Sequence, residues 1–125
     1  MAADAGSDRR IRGARAEAAA RAELEAAGLR TLATNVGYRG GELDLVMLEP
    51  GRTGDTLVFV EVRRRGSFDH GGAAASVTRS KQMRIIFAAR HYLQRHCRVW
   101  PPCRFDVVAI DGDTLTWLIA AFDAG

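Results

Sequence analysis

Leu57-Val58-Phe59-Val60 is the stretch that most restricts what this chain can become. Four consecutive apolar residues in an extended strand present apolar surface on both faces. Such a strand belongs in the middle of a sheet, with cover on either side. The strand is expected over Thr56–Val62, extending to Arg64. A Pro/Gly-containing break, Glu49–Asp55, separates it from a second strand, Glu42–Leu48, in the run G-E-L-D-L-V-M-L. Side chains alternate along a strand. Glu42 and Asp44 should therefore share one face, and Glu61 and Arg63 another. A hairpin would gather three carboxylates and a guanidinium into one pocket. Like charges at close quarters repel, and the usual reason to assemble them is to hold a divalent cation through hard oxygen ligands.

The flanking segments supply the scaffold. A chain of 125 residues fits one domain with one core. Residues 1–7 are small and polar and are expected to be disordered, leaving a single domain over 8–125. From Asp8 to Ala27 the chain is rich in helix formers, with Ser7 or Asp8 to cap the start and Gly28 as a left-handed stop. Ile11, Ala14, Ala18 and Ala22 form a small-residue stripe suited to packing on a sheet. Leu29–Val36 alternates as a first strand, followed by a turn at Gly37–Gly41.

Beyond the central strand, Gly66–Ser76 is a loop of small residues, either a flap beside the pocket or a plain connector. Thr78 is placed to cap a second helix running to His96, on which Met83, Ile86, Phe87, Arg90 and Leu93 recur at helical spacing, most of them as core. Pro101-Pro102 closes the helical region. Arg104–Ile110 and Thr114–Ile119 form two more strands around an Asp111-Gly112-Asp113 turn. The order α-β-β-β-α-β-β predicts an α/β fold with a mixed central sheet. Its first three strands are an antiparallel meander, and the helical crossover makes the fourth parallel to the third.

Charge is unevenly distributed. Val62–Arg104 carries nine Arg and one Lys, Lys81, against one acid, Asp69, for a net +9; residues 1–61 sum to −2 and residues 105–125 to −4. Such a block suits a polyanion, with nucleic acid the leading candidate. No apolar run approaches the roughly 20 residues of a membrane span, and the N-terminal stretch lacks the apolar core of a secretory signal. A cytoplasmic protein without a membrane partner is expected, with Cys97 and Cys103 as free thiols.

Phosphodiester hydrolysis needs an activated water, neutralised phosphate charge and help for the leaving oxygen, all of which carboxylate-bound Mg²⁺ or Mn²⁺ can supply. Asp44 and Glu61 would be the ligands, with the Val62 carbonyl available as another and a basic residue beside the scissile phosphate. GELDLV, LVFVEVRRR, GGAAASVTRSKQ and CRFDVVAI, in that order, resemble the YraN family of bacterial predicted endonucleases, over about Gly13–Phe122. The resemblance implies a restriction-endonuclease-like αβββαβ core of the PD-(D/E)XK superfamily, related to Holliday-junction resolvases, with an added C-terminal strand.

On that resemblance Asp44 matches the metal-binding Asp and Glu61 the acid of the (D/E)XK element. Arg63 stands where the superfamily most often has Lys. Arginine stays protonated, so Arg63 cannot be a general base, though it can orient water or stabilise developing charge. Glu17 matches a helix-1 Glu that completes the metal site in resolvase-like members; read without the resemblance, it is a surface ion pair with Arg21, four residues on. Glu42 belongs to a G-E-x-D pattern, as an outer ligand or a supporting acid. Lys81 and Gln82 match a polar pair facing the phosphate. Arg64, Arg65 and Arg84 would track the nucleic-acid backbone, and symmetric junctions imply a homodimer.

Other candidates carry less. His91 and His96 are five apart, which splits them around a helix, so with Cys97 they make a poor zinc site. His70 reads as a stray loop histidine. Trp100 and Trp117 read as core or edge residues rather than base-stacking platforms. Asp106 could be structural, for example pairing with an Arg. Two functions stand: a Mg²⁺- or Mn²⁺-dependent endonuclease on DNA, ahead of RNA and including branched or structured DNA, or a catalytically inactive nucleic-acid-binding adaptor on the same fold. A small-molecule phosphohydrolase is disfavoured by the absence of a glycine-rich phosphate cradle.

Overall fold

The computed structural model describes the backbone of residues 5–64 and 77–125, and side chains from Ile11 onward. Arg65 and the Gly66–Ser76 loop, with His70, lie outside the described residues. The elements are α1 (Ala5–Ala26), β1 (Arg30–Tyr38), β2 (Gly41–Glu49), β3 (Thr56–Arg64), α2 (Arg79–His96), β4 (Cys103–Asp111) and β5 (Thr114–Phe122). The strands form one sheet in the order β1-β2-β3-β4-β5. Every neighbouring pair is antiparallel except β3–β4, which runs parallel from Leu57 opposite Cys103 to Arg64 opposite Ile110. The architecture is the expected α/β core with a mixed sheet and a C-terminal strand added at one edge. Among the described residues, no helix is long and apolar enough to cross a membrane.

Leu57, Val58, Phe59 and Val60 are all buried, as a doubly covered central strand requires. Leu57 and Phe59 pack with Ile85, Ile86 and Leu93 of α2, while Val58 and Val60 pack with Ala20 and Leu24 of α1. Each face of β3 thus owns one helix. Truncating Phe59 to Ala in such surroundings costs about 3–5 kcal/mol.

Both helices bury different stripes from those expected. On α1 the buried residues are Ala16, Ala20 and Leu24, while Ile11 is exposed. Alanines occur all round this helix, so its sequence barely marks which of them face the sheet. On α2 the buried set is Ile85, Ile86, Ala88, Ala89, Tyr92 and Leu93, leaving Met83 and Phe87 about half exposed. The helix ends follow local chemistry more closely. Gly28 adopts a φ of 103° and lets Leu29 N–H reach the Leu24 carbonyl at 3.0 Å. Thr78 caps α2, its Oγ1 accepting from the Lys81 N–H at 3.2 Å. The α1 start at Ala5 is three residues earlier than expected, and β5 continues three residues past Ile119.

One glycine fixes how closely α2 lies on the sheet. A Cβ on Gly41 would collide with the Arg84 carbonyl oxygen. The bare backbone at Gly41 therefore lets the start of β2 and the first turns of α2 touch, bringing Lys81 over the end of β3.

Candidate active site

β2 and β3 part company at the end of the sheet that carries the acids. Their pairing runs from Glu49–Thr56 to Leu45–Val60 and stops there. One step beyond, the Asp44 carboxylate accepts a hydrogen bond from the Val62 N–H at 2.9 Å. A side chain thus satisfies a backbone donor of β3 where the neighbouring strand has turned away. Strict alternation also fails here. Leu43 packs in the α2-side core, whereas Leu45 and Met47 pack in the α1-side core. The irregularity falls between Leu43 and Leu45, and the charges of both Glu42 and Asp44 reach Glu17.

Glu61 sits beside this break and is only 5% exposed. Asp44 lies within hydrogen-bonding reach of it. Lys81 Nζ is 3.2 Å from Glu61 Oε2, and Arg63 Nη1 is 3.9 Å from the same oxygen. Burial, then the Asp44 charge, push the Glu61 carboxyl up to about 7, against the opposing pull of Lys81. Arg63 Nε is buried without a hydrogen-bond partner among the described residues, an expensive state for a guanidinium N–H unless an anion or water completes it.

Glu61, Glu42, Lys81 and Arg84 line one cleft of about 330 Å³ between α2 and the β1–β2 connection. Glu17 stands apart, in a smaller hollow of about 220 Å³ with Arg21 and Asn35. Its carboxyl is pushed up, chiefly by burial and also by the charges of Asp44 and Glu42, while a hydrogen bond from Asn35 pulls it down. The expected Glu17–Arg21 pair is not formed. Arg21 Nε instead meets Glu25 Oε2 at 3.1 Å, leaving Glu17 turned toward the acids.

The remaining candidates divide. Gln82 is spent on its own helix start, donating to the Val77 carbonyl and accepting from Arg79. Arg64 lies in a separate hollow with Arg12 and Arg15 of α1. Arg65 is outside the described residues. Tyr38 and Phe87 pack against His91, and Tyr92 against His96. Asp106 accepts from Arg104, Trp117 and the Ala120 N–H in a buried network.

Asn35 is the site residue that sequence reading missed. It lines the same hollow as Glu17 and adopts a φ of 51°, a left-handed conformation uncommon for a non-glycine residue. Inside an apparent strand, an Asn carries no pattern that announces either property.

Asp44 and Glu61 are hard oxygen donors of the kind Mg²⁺ and Mn²⁺ take, and Mg²⁺ commonly uses one or two carboxylates with water completing its shell. Among the described residues no group of three His, Cys, Asp or Glu could hold an ion unaided. The donor set fits a water-completed site rather than an all-protein cage.

Residues 16–110 match the model of the uncharacterised protein family UPF0102. A UPF0102 protein of Cupriavidus taiwanensis is 55% identical over 116 residues, covering 93% of this chain and 86% of the relative. One of Polaromonas naphthalenivorans is 55% identical over 125 residues, covering 90% and 79%. One of Methylibium petroleiphilum reaches 63% over 86 residues, covering 69% and 67%. With the GELDLV and VEVR segments inside the matched region and the αβββαβ order in hand, the chain belongs to UPF0102, the YraN family.

Proposed function

We propose that this protein is a metal-dependent nuclease that hydrolyses phosphodiester bonds in DNA, branched or structured DNA included. The observation that carries the reading is the Asp44–Glu61 pair at the β2–β3 separation, with Lys81 and Arg63 within 4 Å of Glu61. Asp44 and Glu61 would hold Mg²⁺ or Mn²⁺, with Glu42 or Glu17 supporting them. The ion supplies charge neutralisation and an activated water when bound.

The protein's own groups divide the remaining work. Arg63 presents a guanidinium with one buried N–H that has no partner among the described residues, suited to a phosphate oxygen. Lys81 is the only lysine in the chain and its ammonium lies at Glu61. An ammonium can release a proton and a guanidinium effectively cannot, so Lys81 rather than Arg63 would stand where a proton must move. Arg84, on the same cleft wall, adds positive charge for the substrate backbone. DNA is preferred to RNA by the resolvase-like resemblance, as is a homodimer.

A second reading has its own support. Lys81 already pairs with Glu61, so a nucleic-acid-binding protein without turnover could keep this site as a salt bridge. Cleavage of duplex, single-stranded and four-way-junction DNA, with and without Mg²⁺ or Mn²⁺, separates the two. Metal-dependent cleavage abolished by Asp44→Ala is expected. Equal DNA binding by both proteins, with no cutting by either, would put the adaptor reading ahead.

A further inference from the structure

Arg63 and Arg64 are neighbours on β3, yet alternation sends them to opposite faces of the sheet. Arg63 joins Glu61 on the α2 side. Arg64 lines a hollow of about 400 Å³ on the α1 side, with Arg12, Arg15, Ala16, Ala19, Ile110 and Gly112. Arg12 and Arg15 lie three apart, the spacing that puts two side chains on one helix face. Three guanidiniums thus converge from two elements distant in sequence. Among the described residues, none of the three has a carboxylate within 4 Å. Glu17 and Glu61, the described acids nearest in sequence to Arg15 and Arg64, do not line the hollow, and neither do Asp111 and Asp113, which flank Gly112 in the β4–β5 turn.

Some arginines elsewhere in the protein are paired with carboxylates. Arg104 is bound by Asp106 and Glu49, and Arg21 by Glu25. Three like charges on one hollow, with no counter-ion among the described residues, repel one another, and an anionic ligand would relieve that repulsion. The hollow has a small apolar floor and no hydrogen-bond acceptor side chain in its lining. That lining suits phosphate oxygens and offers no side-chain acceptor to a base amino group.

We infer that Arg12, Arg15 and Arg64 form a second phosphate-binding subsite, taking the sugar–phosphate backbone of the nucleic acid as it passes round the end of β3 from the cleft. The inference rests on the nuclease-fold reading for its ligand, but not on turnover. The subsite lies outside the cleft lined by Glu61 and Lys81, so it contributes affinity and orientation, not chemistry.

The test is binding without cleavage. A fluorescent DNA duplex is titrated with protein in EDTA at several salt concentrations, and affinity is followed by anisotropy. Each phosphate neutralised contributes about 0.9 to the slope of log K against log[salt] on duplex DNA. Arg12→Ala, Arg15→Ala and Arg64→Ala should each flatten that slope by up to about 0.9. Arg52→Ala, in the loop before β3 at the opposite end of that strand, should leave it unchanged. Alanine is the best helix former and Arg12 and Arg15 are exposed, so those two variants should remain folded, checked by thermal melting. A flattened slope in the hollow variants and not in Arg52→Ala supports the subsite. DNA binding with unchanged slopes overturns the subsite and leaves the nuclease reading standing. No DNA binding by the wild-type protein overturns the subsite, while the nuclease reading stands or falls on the metal-dependent cleavage assay.

Discussion

Two carboxylates are buried among the described residues, and they are treated in opposite ways. Asp106 is fully buried on β4, opposite Val60, and Glu61 is nearly so on β3, opposite Val107. Asp106 accepts from Arg104 Nε at 2.9 Å and Nη2 at 3.0 Å, from Trp117 Nε1 at 2.9 Å and from the Ala120 N–H at 2.9 Å. Arg104 is held further by Glu49 at 2.7 Å, and its pKa is raised by these bonds, first those to Asp106. Glu61 instead faces another carboxylate and leans on one half-exposed ammonium. Asp106 is a satisfied charge that locks β4, β5 and the end of β2 together. Glu61 is an unsatisfied one, and its raised pKa records the difference. A buried acid is therefore not by itself a site; the count of donors around it decides which kind it is.

The contrast can be broken by substitution. Glu61→Gln should reduce metal-dependent cleavage by roughly 10³-fold or more, with the fold retained in circular dichroism. Near-wild-type cleavage would remove Glu61 from the chemistry. Asp106→Ala should do the converse, leaving four donor groups unpaired at a cost of about 3–5 kcal/mol in urea unfolding. A loss below about 1 kcal/mol would mean that water replaces the carboxylate readily.

Acidity sharpens the same comparison. The folded-state pKa of Glu61, about 7, lies above its ordinary 4.5. Its contribution is therefore complete below pH 4.5 and lost as pH rises through about 7. Without metal, wild type should lose up to about 3 kcal/mol relative to Glu61→Gln between pH 4.5 and pH 8, and added Mg²⁺ should restore part of it. Parallel stability curves for the two proteins would contradict the raised value.

Gly41→Ala gives the smallest expected stability effect. Its Cβ meets the Arg84 carbonyl, so α2 must shift, at about 1–3 kcal/mol. Lys81 should then sit farther from Glu61, with weaker cleavage. An unaltered melting temperature would show that the helix gives way freely.

Much of this was open to reading along the chain. The apolar run of β3, the Gly28 stop, the Thr78 cap and the Asp-Gly turn are local signals whose physics acts within a few residues. They set the element order, and the crossover rule then made β4 parallel to β3. Asp44, Glu61 and Arg63 were legible as a pattern across one hairpin. The α1 stripe was not, because alanine is as acceptable on a solvent face as on a core face. Glu17 was read without the family resemblance as an ion pair with Arg21, since i, i+4 spacing is visible in sequence and a partner on another strand is not.

What the sequence determined by itself was which segments are strands and helices, and that acids and bases cluster around β3. Only the tertiary structure decided how those charges are shared. β2 separates from β3 at Asp44, and Gly41 admits α2 closely enough to bring Lys81 to Glu61. These outcomes depend on contacts between residues distant in sequence, whose geometry no local periodicity encodes.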